Sequence, residues 1–133
     1  MNYMDINVVQ NKYIELEDFE VYKLAREYSK FSWEIYALLD WQSKKIIGDQ
    51  FIRSVDSVGA NIAEGYGRFH YLDKNKFYYN ARGSLLESKH WLELLLERKF
   101  IQQEKYTQIV SVNKNILIKL NTLIKTQYNR NKK

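Results

Sequence analysis

The chain has 133 residues, 45% of them hydrophobic and 28% charged, which is typical of one globular domain with its own core. It contains no cysteine, so disulfides, zinc fingers and cysteine nucleophiles are excluded, and its net charge is +5. No segment has the roughly 18 uninterrupted apolar residues that a membrane span needs.

The absence of proline and the presence of only five glycines predict long helices with short links. The first helix is predicted from about Asp18, as its N-cap, to Leu39. Two apolar stripes run side by side along it at helical spacing, and together they form an arc wider than one internal seam requires. The first stripe is Val21, Leu24, Tyr28, Phe31, Ile35 and Leu38. The second is Phe19, Tyr22, Ala25, Ser29, Ser32, Tyr36 and Leu39.

The second helix is predicted from Lys44 to Glu64, with Ser43 as its N-cap and Gly65 as a left-handed C-terminal residue. Its small residues Gly59 and Ala63 predict close approach of a neighbouring helix. The inward stripe of this helix is Ile47, Phe51, Ser54, Val58 and Ile62.

A third helix is predicted from Asp73, as its N-cap, to Arg98, and a fourth from Gln103 to Tyr128. The core stripe of the third is Tyr78, Ala81, Leu85, Ser88, Leu92 and Leu95, flanked by Phe77, Ser84 and Trp91. The core stripe of the fourth is Tyr106, Ile109, Asn113, Ile116, Leu120 and Leu123, flanked by Val110, Leu117 and Ile124.

These elements predict an all-α, antiparallel up-down-up-down four-helix bundle. We place an N-terminal extension at 1–16, the bundle at 17–128 and a basic tail at 129–133. Alternation at Met4, Ile6 and Val8 is the only weak strand signal. Because the doubled stripes exceed what one internal seam requires, we expect a homo-oligomer, with a monomer of broad internal packing as the alternative.

No nucleophile–base pair is visible, so we expect a protein that is not an enzyme and has no cofactor. His70 and His90 are 20 residues apart, and Glu87-x-x-His90 is a single copy of a motif that di-iron bundles carry twice, so no metal is expected. The Gly65-x-Gly67 pair follows a helix, whereas phosphate loops follow a strand. Without a basic-then-apolar signal peptide at the start, we expect a cytoplasmic protein with no membrane partner.

A polar group lies beside the apolar stripe of helix two: Arg53, Ser57, Asn61 and Glu64 fall within roughly 80° of arc. Glu87 of helix three is a candidate partner for Arg53 or Glu64, and Arg53 and Glu64 could also pair with each other. We interpret the group as a structural hydrogen-bond network that fixes helix register or a subunit contact, with a ligand site as the alternative.

The charge is uneven, because 98–133 contains nine basic residues and one acidic residue, whereas the rest of the chain is net acidic. This imbalance predicts either a polyanionic partner or a solvated lysine-rich face. Lys114, Lys125 and Lys132 fall at nearly one helical angle. The candidate nucleic-acid-binding residues are Arg68, Lys114, Lys125, Arg130, Lys132 and Lys133.

Residues 50–68 read QFIRSVDSVGANIAEGYGR and match every lettered position of Q-x-x-R-x-x-x-S-x-x-x-N-x-x-E-G-x-G-R. Residues 81–87, ARGSLLE, match A-x-G-S-L-x-E, and 16–25 resemble the first helix of the same family. In these segments the chain resembles the four-helix-bundle proteins encoded in intervening sequences of bacterial 23S ribosomal RNA genes, the S23 family. The similarity covers about Leu16 to Tyr128.

The resemblance implies a ring-like homopentamer and kinship with the accessory proteins of diversity-generating retroelements, which join a reverse transcriptase and bind nucleic acid through a basic surface. We therefore expect a non-enzymatic oligomer that binds RNA or DNA. The alternative is a protein–protein scaffold that recruits an enzyme such as a reverse transcriptase.

Overall fold

The computed structural model describes residues 14–132, which fold into four long helices without a strand. The all-α prediction is thereby confirmed for this part of the chain; Met4, Ile6 and Val8 lie outside it. A 3-10 turn, Leu16–Asp18, precedes the first helix. The helices are α1, Glu20–Leu38; α2, 41–66; α3, Tyr71–Glu97; and α4, Gln103–Asn131.

Helix α2 is continuous but not uniform. It begins with Trp41–Ser43, passes through a π-helical segment, Lys44–Gly48, and continues as Asp49–Tyr66. In the π-helical segment the Asp49 amide donates to the Lys44 carbonyl, five residues back instead of four. A Cβ on Gly48 would lie 2.8 Å from Leu39 Cδ1, so this segment packs closely on the end of α1.

The three predicted N-caps are wrong by one to three residues. Phe19, not Asp18, precedes α1, and its ring lies 5.3 Å from that of Tyr66, so apolar packing sets this helix start. Asp40, not Ser43, caps α2, because its carboxylate accepts from the Ser43 amide at 2.8 Å. That backbone hydrogen bond, the largest cause, lowers the pKa of Asp40.

His70, not Asp73, caps α3: its Nδ1 accepts from the Leu72 amide at 3.2 Å. Asp73 instead lies in the first turn of the helix, where a negative charge interacts favourably with the helix dipole. At the other end, Lys99 has φ 65 and takes the left-handed position usually held by glycine. The Phe100 amide then donates to the Leu95 carbonyl at 2.9 Å, which closes the helix.

Gly65 does not end α2 in a left-handed turn as predicted. The helix continues to Tyr66, and no described glycine has a positive φ. Gly65 is required for close approach instead: a Cβ there would lie 2.6 Å from Tyr78 Cε1 and 3.1 Å from the Lys74 carbonyl. The close contact predicted at Gly59 is present in milder form, because a Cβ there would lie 3.6 Å from Ala25 Cβ.

One core lies between the four helices, since α1 contacts α2 and α4, and α3 contacts α2 and α4. The predicted inward stripes of α2 and α3 are entirely buried. In α4, four of the six predicted core residues are buried, whereas Tyr106 and Leu123 are half-buried. The flanking Ile124, next to Leu123, is buried. Polar contacts at the edge of the core join α1 to α2, because Ser29 hydrogen-bonds Asp56 and Tyr36 hydrogen-bonds Asp49.

The buried face of α1 lies between the two predicted stripes and contains residues of both. The buried residues of the helix are Val21, Ala25, Tyr28, Ser32 and Ile35. A stripe that steps by three and four residues drifts about 20° per heptad around a straight helix. Leu24 and Phe31 are consequently only half-buried, and Leu38 is 89% exposed.

Candidate nucleic-acid interface

The outer face of α4 carries exposed lysines at one helical angle. Lys114, Lys125 and Lys132 are all exposed, and none has a carboxylate within ion-pair distance among residues 14–132. No acidic residue follows Glu104 in the sequence, so nothing on α4 itself neutralises them. The positive charge of this face is therefore available to an external anion.

Two other lysines of α4 are neutralised by α1. Lys105 Nζ donates to Glu34 Oε1 at 2.6 Å, and Lys119 Nζ lies 3.6 Å from Glu20 Oε2. The hydrogen bond from Lys105 is the largest cause of the lowered pKa of Glu34. These pairs lie along the contact between α1 and α4, so the uncompensated charge is confined to the side of α4 that faces solvent.

The C-terminal end of α4 adds Arg130, because the helix runs three residues past the predicted end at Tyr128. The guanidinium carbon of Arg130 lies 5.9 Å from the centroid of the Tyr71 ring, over the start of α3. Lys133 lies outside the described residues. The structure thus places Lys125 and Arg130 on one continuous helix, with Lys132 directly after its last residue.

Arg68 contacts side chains of its own chain. Its Nη2 donates to Glu64 Oε2 at 2.6 Å, and its guanidinium carbon lies 4.6 Å from the centroid of the Phe77 ring. Phe69, beside it in the α2–α3 link, is 98% exposed. Arg68 is therefore less available to an anion than the lysines of α4, although its side chain is half-exposed.

The predicted polar group on α2 divides into separate contacts. Asn61 Nδ2 donates to the Ser57 hydroxyl at 3.0 Å and to the Ser57 carbonyl at 2.9 Å, and Ser84 of α3 donates to Ser57 at 3.0 Å. These bonds join α2 to α3 through small side chains. Glu64 pairs with Arg68, so the alternative pairing with Arg53 does not form.

The remaining members of that group point elsewhere. Glu87 accepts from the indole of Trp91 at 3.2 Å within α3. Arg53 is exposed and forms no ion pair among the residues described here. The predicted ion pair between Arg53 and Glu87 is absent among the described residues, and Glu64 contacts Arg68 instead of Glu87.

A buried polar network at the centre of the bundle was not identified from the sequence. Tyr28 Oη of α1 lies 2.6 Å from Ser88 Oγ of α3, and Asn113 Nδ2 of α4 donates to Tyr28 Oη at 3.0 Å. Asn113 also donates to the Leu85 carbonyl at 3.2 Å. Burial, the largest effect, raises the pKa of Tyr28. The sequence does contain a signal for this network, because Ser88 and Asn113 are polar residues within otherwise apolar stripes.

Within residues 14–132, both histidines make local contacts. His70 caps α3, and the ring of His90 meets Trp91 edge-on at 4.9 Å between centroids. Within residues 14–132, no group of three His, Asp or Glu side chains is placed to hold a metal ion. No helix in that range is long and apolar enough to cross a membrane.

The sequence matches a family model described as 23S rRNA-intervening sequence protein over residues 17–122, most of the chain. The protein belongs to this family. A search of curated proteins gave no match.

A solved structure from Bacteroides thetaiotaomicron, a protein with unknown function from the S23 ribosomal protein family, is similar in fold. It is 28% identical, with a TM-score of 0.74, and the alignment covers 79% of this chain and 98% of that chain. The relation to the family predicted from the helix-two motif is confirmed.

The family match ends before the most basic part of α4. Lys114 lies inside the matched range, whereas Lys125, Arg130 and Lys132 lie beyond residue 122. The hydrogen bonds among Ser57, Asn61 and Ser84 lie within it. The hydrogen-bonded part of the motif therefore lies inside the matched range, whereas the exposed basic end of α4 lies outside it.

Proposed function

We propose that this protein is a non-enzymatic homo-oligomer that binds RNA through the exposed basic face of α4. One observation carries the proposal: Lys114, Lys125 and Lys132 share one solvent-facing side of a helix on which no carboxylate follows Glu104. Lysine side chains on such a surface contact phosphates with little dependence on sequence, and binding releases counterions.

Uncharged polar side chains between the lysines support the same interpretation. Ser111, Asn115, Asn121 and Asn129 are exposed on α4 and can donate to phosphate or sugar oxygens. Tyr128 is 41% exposed near Lys125 and Lys132 and offers a ring for stacking. An RNA strand lying along α4 would meet positive charge, hydrogen-bond donors and an aromatic ring.

The order of the polar contacts between α1 and α2 supports an antiparallel arrangement within each subunit. Ser29 bonds to Asp56, whereas Tyr36, which is later in α1, bonds to Asp49, which is earlier in α2. An antiparallel bundle with short links leaves the outer faces of its helices open to other copies.

Two exposed apolar surfaces support assembly of such bundles into a ring. The tryptophan surface is the set of exposed apolar side chains around the α1–α2 link, Leu38, Trp41 and Ile46, which are 89%, 74% and 61% exposed. The α3 stripe consists of Leu72, Tyr79 and Leu86, seven residues apart and 45%, 46% and 44% exposed. A head-to-tail contact between two different surfaces generates a closed ring when the rotation from one subunit to the next adds up to a full turn.

The first test is a titration with a structured RNA at two salt concentrations. We expect Lys114→Glu/Lys125→Glu to weaken binding by roughly tenfold or more per lysine, because charge-assisted hydrogen bonds are removed. The slope of log affinity against log salt should also become shallower by roughly 0.7 to 0.9 for each phosphate that is no longer neutralised. Lys23→Glu/Lys30→Glu, on exposed positions of α1, provides the matched control.

Equal losses of affinity in both double variants would mean that only net charge matters and would remove the α4 face from the proposal. Wild-type binding that is weak and insensitive to salt would reject RNA binding altogether.

The second test concerns assembly. We expect sedimentation of the wild type to give a mass well above the 16.1 kDa of one chain. Leu38→Ser/Trp41→Ser should lower that mass, because burial of large apolar side chains provides most of the association free energy. Ile118→Ser, at a position 62% exposed on α4 and outside both surfaces, should leave it unchanged. A 16.1 kDa wild-type species at micromolar concentration would contradict the ring.

A protein scaffold that recruits an enzyme is the second candidate, favoured by the same exposed apolar surfaces. In that function, one surface would bind a different protein. A partner recovered after nuclease treatment, and lost with Leu38→Ser/Trp41→Ser, would support this alternative over RNA binding.

A further inference from the structure

An open cavity of about 540 Å³ lies at the end of the bundle where α1 begins and α4 ends. The start of α1, the α2–α3 link, α3 and the last turns of α4 all contribute to it. Its volume lies in the range common for small-molecule sites. We call it the end cavity, and the residues that define its chemistry are Phe19, Tyr66, Lys74, Tyr78, Gln127 and Arg130.

Two cations line the end cavity without a carboxylate between them. None of the described residues that line it is acidic, and neither Lys74 nor Arg130 forms an ion pair within residues 14–132. Lys74 Nζ donates to the Tyr66 carbonyl at 2.9 Å and to the Gly65 carbonyl at 3.4 Å, which leaves one of its three N–H groups for a ligand. Burial first, and then the charge of Arg130, lower the pKa of Lys74. A bound anion would relieve this repulsion.

Gln127 gives the cavity an unused hydrogen-bonding group. Its side chain is 4% exposed, and its Oε1 has no partner among the described residues. A buried acceptor left without a partner costs roughly 1–3 kcal/mol. Because this oxygen has less than 1 Å² of accessible surface, the side-chain amide has to rotate toward the cavity before an N–H group of a ligand can reach it.

Aromatic rings form the remaining wall. The rings of Phe19 and Tyr66 lie 5.3 Å apart, and both line the cavity with Tyr78. Burial raises the pKa of Tyr78 to about 12, so its hydroxyl stays protonated at neutral pH. Aromatic rings stack on nucleobases of any sequence.

We propose that the end cavity binds one nucleotide, with its phosphate between Lys74 and Arg130, its base against the aromatic wall and a base N–H donating to Gln127. This inference rests on the proposed function and names one specific contact within it. The cavity differs from the α4 face, where phosphates would be held by lysines alone, because here a cation pair, an unpaired amide and aromatic rings converge.

The test is a calorimetric titration of the full chain with 5′-AMP, inorganic phosphate and adenosine. We expect 5′-AMP to bind more tightly than either fragment, since each fragment makes only part of the contacts. Arg130→Gln should weaken 5′-AMP binding by roughly tenfold or more, because it removes a charge-assisted hydrogen bond to the phosphate. Lys76→Gln removes one charge from an exposed position nearby on α3 and serves as the matched control.

Gln127→Leu provides a second variant that keeps the buried volume while removing the acceptor. It should weaken 5′-AMP binding and leave inorganic phosphate binding unchanged. Unfolding of the variant would instead weaken the binding of both ligands. Equal 5′-AMP affinity in wild type, Arg130→Gln and Gln127→Leu would overturn the proposal, as would no detectable binding to a wild type that is folded.

A 5′-phosphorylated oligoribonucleotide distinguishes the source of the nucleotide. Loss of both 5′-AMP and oligonucleotide binding in Gln127→Leu, a variant confined to the cavity, would assign the site to a nucleotide of a strand, and loss of 5′-AMP binding alone to a free nucleotide. Failure of the end cavity would leave oligonucleotide binding still sensitive to Lys114→Glu/Lys125→Glu. Failure of the proposed function would remove that sensitivity, so the two outcomes are separable.

Discussion

Gly65→Ala is expected to destabilise the protein even though alanine is the better helix former. The added Cβ would lie 2.6 Å from Tyr78 Cε1, 2.9 Å from Tyr78 Cδ1 and 3.1 Å from the Lys74 carbonyl. The Tyr78 ring is buried and the carbonyl belongs to the backbone, so neither moves freely. Overpacking of this kind costs roughly 1–3 kcal/mol, which exceeds the helix-propensity gain of about 1 kcal/mol.

Gly59→Ala is the matched control, because it makes the same substitution on the same helix. Its new Cβ would lie 3.6 Å from Ala25 Cβ, an ordinary contact, so a gain of about 0.5–1 kcal/mol is expected. Urea unfolding at fixed protein concentration would compare the two variants, since oligomers change apparent stability with concentration. A Gly65→Ala protein as stable as the wild type would show that α2 and α3 can separate without cost.

Tyr28→Phe is expected to produce the second large loss of stability, because its hydroxyl bonds to two other helices. Ser88 and Asn113 would each lose one buried hydrogen-bond partner, although both also donate to the Leu85 carbonyl. The free energy of unfolding should fall by roughly 1–3 kcal/mol. Tyr22→Phe removes a hydroxyl whose hydrogen bond to Arg26 is exposed, and it should change stability by less than about 0.5 kcal/mol.

A double-mutant cycle would isolate the bond between Tyr28 and Asn113. Tyr28→Phe/Asn113→Leu should cost less than the sum of the two single variants, since replacing both partners leaves fewer buried groups unpaired. Strict additivity in thermal and urea unfolding would show that the two side chains are not coupled.

The helices and their core could largely be predicted, because burial follows the 3.6-residue period of a helix. Every residue in the predicted stripes of α2 and α3 is buried. In α1, a stripe that steps by three and four residues rotates slowly around the helix, and its last member, Leu38, therefore lies at the surface. Helix starts were less predictable. Asp40 and Ser43 are both good capping residues, and only backbone geometry decided that Asp40 caps α2.

The basic face of α4 could be anticipated from the sequence, since helical angle and the lack of acidic residues depend on one helix alone. The neutralisation of Lys105 by Glu34 could not, because it depends on how α1 packs on α4. The end cavity was also beyond sequence patterns. Lys74, Gln127 and Tyr66 come from three helices, and their meeting depends on where each helix ends.

Unequal helix lengths have a consequence for how the end of the bundle can vary. Glu34 lies beside Lys105 and Glu20 beside Lys119, so α1 and α4 are aligned at one end and α4 continues to Asn131 past the start of α1. The segment of α4 from Lys119 to Asn131 extends roughly 18 Å past the start of α1, at 1.5 Å per residue, and its inner side borders the end cavity. Lengthening or shortening α1 by one turn would change how much of this segment is uncovered, while the packing between the helices in the rest of the bundle stays the same.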